Sequence, residues 1–261
     1  MGAGVAHIQA GALDADLLSW KEAELRAKKE RQSAIETYYF LHRDTLLSME
    51  QGQSLPIFQA LQQQGWLRHE RIDLKDAVRG RYRRTYACLS HRWESKEHPD
   101  PRGEQLARVQ EYLHADPQVE WVWIDFCCMP QPQMVQDPNT GQLLYKREPN
   151  EQEYFSRALR NVNMLYANMQ VCILFDRSYN NRFWCLLESI LALSNPTVKG
   201  LVPSQGNEHH HFLCCGSYTG KTGMRAVHAF EEQWWGMPYV EALEVLKSND
   251  VSVTNQGDKE K

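Results

Sequence analysis

Between residues 85 and 202 the chain alternates short, almost wholly apolar runs with longer segments whose apolar residues recur every three or four positions. Residues 85–90 (TYACLS), 119–126 (VEWVWIDF), 171–175 (VCILF) and 197–202 read as strands. A helix opens at Asp100-Pro101, where Asp serves as N-cap and Pro takes the first helical position, and Leu106, Val109 and Leu113 follow at helical spacing. Residues 152–169 and 181–193 supply two more helices. Strands that are apolar on both faces need cover on both faces, so the expected fold is α/β with a parallel sheet between helices. Ligands of such sheets bind outside the carboxyl ends of the strands. That rule singles out Ser90, His91, Arg92 and Trp93 after the first strand, Asp125, Cys127 and Cys128 at the second, and Asp176 and Arg177 at the third.

The flanks read differently. Residues 12–51 hold no Gly and no Pro, and Asp14 or Asp16 can cap a helix beginning near Leu17. Glu22 with Arg26, and Glu24 with Lys28, support it as i,i+4 pairs. Ile35, Tyr38, Tyr39 and Leu46 continue an apolar face, and residues 55–64 form a second helix before Gly65. Residues 1–78 are therefore expected to be an N-terminal helical extension, residues 79–248 the α/β domain and residues 249–261 a polar, frayed tail. Residues 130–149, with four prolines, and residues 204–220 read as loops. Residues 222–246 read as helix, broken near Gly236 and Pro238.

Composition excludes several function classes. The 261 residues carry 29 Lys plus Arg against 33 Asp plus Glu, a net charge of −4, which argues against a general nucleic-acid-binding role. No run of apolar residues is long enough for a membrane span, and the first residues lack the basic and apolar regions of a secretory signal. Seven cysteines, none in a C-x-x-C, read as buried small apolar residues of a cytoplasmic protein. The run Gly216 to Thr222 has the look of a phosphate-binding P-loop but is one residue short between its glycines. His209-His-His211 and Cys214-Cys215 are adjacent rather than spaced, so no metal site is expected. Arg79, Arg81, Arg83 and Arg84 make a basic run that is either a solvated edge or an anion contact. In residues 180–188 a helix follows the third strand. Asn181, Cys185, Glu188 and Ala192 form its narrow polar or small face, and Glu188 at the sheet edge is a candidate for a partly desolvated carboxylate of raised pKa.

Ala87-Cys-Leu-Ser-His-Arg-Trp93, then Val122-Trp-Ile-Asp-Phe-Cys-Cys-Met-Pro-Gln131, then Asn163-Met-Leu-Tyr166 before the strand at 171–175, together resemble the heterokaryon-incompatibility (HET) domain. Arg182-Phe-Trp-Cys-Leu-Leu-Glu188 resembles the "RWC-x-x-E" helix of the related TIR domain. The resemblance covers about residues 80–203. It implies a flavodoxin-type, TIR-like sheet and NAD⁺ as substrate rather than as cofactor. It also implies cleavage at the nicotinamide–ribose bond, with Glu188 as the catalytic residue, in a defence or cell-death-like signalling role. Ser90, His91, Arg92, Trp93, Asp125 and Trp184 are the implied substrate-binding set. Within it, Trp93 or Trp184 would stack on nicotinamide and Arg92 would bind a phosphate. Two alternatives stand beside this expectation. One is a non-catalytic, self-associating signalling module; the other is a nucleoside-processing relative of the deoxyribosyltransferase type.

Overall fold

Apolar, β-branched and aromatic residues concentrate where the chain must lie between two helical layers, and these stretches form the central strands. The computed structural model describes residues 35–136, 141–197, 200–206, 209–248 and 251–252. In chain order these hold β1 (Ile35–His42), α1 (Arg43–Leu47), α2 (Phe58–Gln63), β2 (Leu67–Asp73), α3 (Leu74–Val78), β3 (Tyr86–Ser90), α4 (Glu104–Ala115) and β4 (Trp121–Trp123). There follow α5 (Asp125–Cys128), β5 (Gln133–Gln136), β6 (Leu143–Lys146), α6 (Pro149–Asn161), α7 (Asn163–Asn168), β7 (Gln170–Phe175) and α8 (Phe183–Ala192). The chain continues through β8 (Ser194–Thr197), β9 (Gly200–Pro203), β10 (His210–Cys214), α9 (Gly220–Trp234) and α10 (Tyr239–Lys247).

Six strands make the main sheet, in the order β10-β7-β3-β4-β1-β2. The β10/β7, β7/β3 and β3/β4 pairs are parallel, and β1 runs antiparallel to both β4 and β2. Counting the four parallel strands in chain order gives 2-1-3-4, the flavodoxin-type winding. The order reverses between β3 and β7, so the crevice for a ligand opens beyond Ser90 and Phe175. Every residue of β3 is buried, and β7 is buried from Val171 onward. The expected α/β fold with a largely parallel sheet is the one observed.

Several expectations are corrected. Residues 35–42 and 67–73 are strands of the main sheet, not parts of a helical extension; the helix expected near Leu17 lies outside the described residues. The spacing of Tyr38, Tyr39 and Leu46 mimics a helix. The run of aromatic and β-branched residues instead buries Tyr38, Phe40 and Leu41 within the sheet layers. Residues 197–202 do not supply the fourth parallel strand: β8 and β9 form a separate hairpin, and the sheet is completed by β10, inside the expected loop at 204–220. Three successive histidines obscure that strand, yet His209 and His210 are buried. The proline-rich stretch at 130–149 carries the β5/β6 hairpin. The tail is anchored at Val251, which is buried, and at Ser252. The Ser252 amide donates to the Asn181 carbonyl at 2.8 Å, and the Phe183 amide donates to the Ser252 carbonyl at 3.0 Å.

Helix α4 begins three residues after the expected Pro101, and its N-cap is Gly103 rather than Asp100; Asp100 still serves the first turn, its Oδ2 accepting from the Leu106 amide at 2.8 Å. The turn between them needs Gly103, whose φ is +70° and whose missing Cβ would stand 2.5 Å from the Gln53 carbonyl oxygen. Gly103→Ala should therefore destabilise the fold by about 2 kcal/mol or more, read as a lower urea midpoint at unchanged m-value.

Candidate functional site

The site grows from the carboxyl end of β3. Ser90 ends the strand and is fully buried; His91, Arg92 and Trp93 continue into the crevice. His91 is also buried, and both its ring nitrogens are engaged. Nδ1 lies 2.6 Å from Gln105 Oε1, and Nε2 lies 2.8 Å from Asp125 Oδ1. The Gln105 amide nitrogen donates to the carbonyls of Arg92 (2.9 Å) and Pro99 (2.8 Å), so its oxygen faces His91 and can only accept. Asp125 likewise accepts. Both His91 nitrogens therefore carry protons, and the ring is a buried imidazolium. Burial alone would lower the His91 pKa, but the Asp125 charge and the hydrogen bonds to Asp125 and Gln105 outweigh it and raise it. Burial would conversely raise the Asp125 pKa; the His91 charge and hydrogen bonds from His91, Trp93 and the Phe126 amide hold it down. Asp125 Oδ2 accepts from the Trp93 indole at 2.8 Å, which fixes that ring at the crevice wall.

Arg92 is committed to a neighbouring strand end. Its Nε and Nη2 donate to Asp176 Oδ2 at 2.8 and 2.7 Å, and Asp176 Oδ1 accepts from the Ser178 amide. The pair clasps the ends of β3 and β7 together.

Glu188 lies on α8, whose apolar residues pack on the sheet: Cys185, Leu186, Leu187, Ile190 and Leu191 are buried. Its carboxyl meets Ser90 Oγ at 2.6 Å. Ser90 Oγ also contacts the Tyr179 hydroxyl, which donates to the Cys185 carbonyl at 2.8 Å. Burial, reinforced by the Asp125 charge, pushes Glu188 up to about 8, against the opposing pull of the Ser90 hydrogen bond and the His91 charge. A neutral Glu188 gives the hydroxyls one consistent direction: Glu188 donates to Ser90, Ser90 to Tyr179 and Tyr179 to the carbonyl. An ionised Glu188 accepts from Ser90 instead.

A cavity of about 420 Å³ opens at this edge, within the usual range for small-molecule sites. His91, Arg92, Trp93, Asp125, Trp184 and Glu188 all line it, so six of the seven expected site residues converge there. Ser90 does not; it supports Glu188 from behind. Cys127, Cys128 and Arg177 are also outside the lining. Sequence reasoning missed Arg147, Phe155 and Ser252 on the cavity wall, and Gln105 beneath it. Arg147 and Phe155 come from the β5/β6 insertion and α6, where nothing in the spacing marks a site. Gln105 had a faint signal, as a polar residue among the apolar positions of α4.

The remaining motifs lie elsewhere. The histidines at 209–211 belong to β10 and its approach; burial lowers His209 to about 3 and His210 to about 4. Among the described residues no cluster of three or more His, Cys, Asp or Glu could hold a metal, and no helix is long and apolar enough to cross a membrane. Arg79 and Arg81 pair with Asp76, and Arg84 donates to Gln118. Compared with known proteins, the chain matches no family model, no curated protein and no solved structure.

The pKa directions set a pH dependence of stability. Glu188, raised from 4.5 to about 8, contributes stability that is full below its ordinary value and is lost as pH rises towards about 8. His91, also raised, contributes fully below its ordinary value of 6.5 and loses it as pH climbs through the folded value. Asp125, lowered from 3.8, contributes above that value and loses it on acidification. Thermal melts should therefore show a lower Tm at about pH 8 than at about pH 5, and Glu188→Gln should flatten that fall. An unchanged pH dependence in the variant would contradict the assignment.

Proposed function

We propose that the chain is an enzyme that cleaves an N-glycosidic bond, with NAD⁺ as the substrate and Glu188 as the catalytic carboxyl group. The observation that carries this reading is the position of Glu188. It faces a cavity at the strand-end crevice whose wall also holds aromatic rings and guanidinium groups. The C1′–N bond breaks with its electron pair leaving on nicotinamide, which departs neutral and needs no acid. The ribosyl carbon passes through an oxocarbenium-like state, as in glycoside hydrolysis, and is captured by water. Ionised Glu188 stabilises the positive charge and takes the proton released by that water. The products are nicotinamide, ADP-ribose and one proton.

Burial keeps Glu188 neutral at pH 7. The cationic nicotinamide ring of the substrate favours the ionised form when it enters, because an opposite charge lowers a carboxyl pKa. Trp93, held by Asp125, offers a flat face to that ring. Arg92, expected as a phosphate ligand, is already bound to Asp176, so its part is to brace the crevice.

A nucleoside-processing reading comes second and is favoured by one observation: a neutral Glu188 can protonate a departing purine or pyrimidine. The self-associating, non-catalytic reading gives the cavity no role.

Nicotinamide release from NAD⁺ by the purified chain should fall by roughly 10²- to 10⁴-fold in Glu188→Gln. In the wild type, kcat/KM should rise about tenfold per pH unit and level above about pH 8, since it reports the free enzyme. Release that survives in the variant would overturn the role of Glu188. Cleavage of nucleosides but not NAD⁺ would establish the second reading.

A further inference from the structure

The cavity's charges do not cancel. His91 is balanced by Asp125 and Arg92 by Asp176. Glu188 is neutral near pH 7. Two guanidinium groups on the lining remain, those of Arg147 and Arg182. Among the described residues neither has a carboxylate within ion-pair distance.

Arg147 is partly desolvated, and Arg182 stands in an unfavourable place for a cation. Arg147 follows β6; its Nε donates to the Pro130 carbonyl at 2.6 Å, and its guanidinium carbon lies 3.5 Å from the centre of the Phe155 ring. It is half-buried, and burial lowers its pKa. Glu151, the acidic group that most offsets this, is occupied by Gln59 and by the Glu148 amide. Arg182 is the N-cap of α8, where Ser, Thr, Asp or Asn is favoured, and it gives the helix no side-chain cap. A cation there also faces the positive end of the helix dipole. A cation at a helix N-terminus and a half-buried guanidinium, both on one cavity wall, suit an anionic ligand that would offset both.

We propose that Arg147 and Arg182 form the anion-binding arm of this cavity, and that its ligands are nucleotides bearing at least one phosphate rather than nucleosides. Guanidinium groups suit phosphate because their planar fork donates two parallel hydrogen bonds. The Phe155 ring beneath Arg147 holds the fork in position by cation–π contact. The location rests on the same cavity as the proposed activity, but the inference does not depend on bond cleavage.

The test uses nicotinamide mononucleotide and nicotinamide riboside, which differ by one phosphate. Both are titrated calorimetrically into the full-length Glu188→Gln chain, where turnover cannot interfere. The mononucleotide should bind at least about tenfold more tightly, a difference of about 1.4 kcal/mol. Added salt should weaken the mononucleotide and should not weaken the cationic riboside. Arg182→Gln and Arg147→Gln should each remove most of the mononucleotide's advantage without lowering riboside affinity. If the Arg147 variant unfolds, the salt dependence and the Arg182 variant still decide. Equal affinities, no binding of either compound, or a mononucleotide preference that survives both substitutions would overturn the proposal. Mononucleotide binding without nicotinamide release from NAD⁺ by the wild type would leave the anion arm standing and overturn the activity.

Discussion

A buried imidazolium holds the strand-end crevice together. His91 donates from one nitrogen to Gln105, just inside α4, and from the other to Asp125, at the start of α5. Two helical elements, α4 and α5, are thereby tied to one ring. The tie extends outward, because Asp125 fixes the Trp93 indole and Gln105 fixes the Arg92 and Pro99 carbonyls. His91 is buried while the Asp125 side chain stays about 34% exposed, so the pair is a modest source of net stability. Removing Asp125 is still costly, because it strands the buried His91 charge. What the pair supplies is a fixed arrangement of donors and rings around a cavity.

Glu188 belongs to the same network by proximity rather than by direct contact. The Asp125 carboxylate opposes its ionisation, and His91 and Ser90 favour it. Burial is the largest influence and keeps the proton on. A carboxyl group stored in its neutral form beside an ion pair is a cost to folding above its ordinary pKa, which is the usual mark of a group kept for chemistry rather than for stability. The hydroxyls of Ser90 and Tyr179 make that state workable, since they can turn to accept or to donate as Glu188 gains or loses its proton.

The parallel core was legible in the sequence because fully buried strands leave an unbroken apolar signature, as in β3 and β7. The strand-end rule then located His91, Trp93 and Asp125 without any knowledge of side-chain contacts. The outer strands were not legible for the opposite reason. β2 carries Arg, His, Glu and Arg on a sheet edge, and β10 opens on histidines, so neither shows the apolar run of a central strand. β1 was misread because the spacing of its aromatic residues satisfies a helical face as well as a strand. Within the site, the pairing of Arg92 with Asp176 and the arrival of Arg147 at the cavity depend on contacts between distant segments, which no local pattern encodes.

The central claim is that a neutral Glu188 faces the cavity at the switch point of the sheet. Infrared difference spectra of the full-length wild type against Glu188→Gln, taken across the pH range, test it most directly. The account predicts a protonated carboxyl C=O band at pH 6 that belongs to Glu188 and titrates away around pH 8. A Glu188 that is already ionised at pH 6 would contradict it.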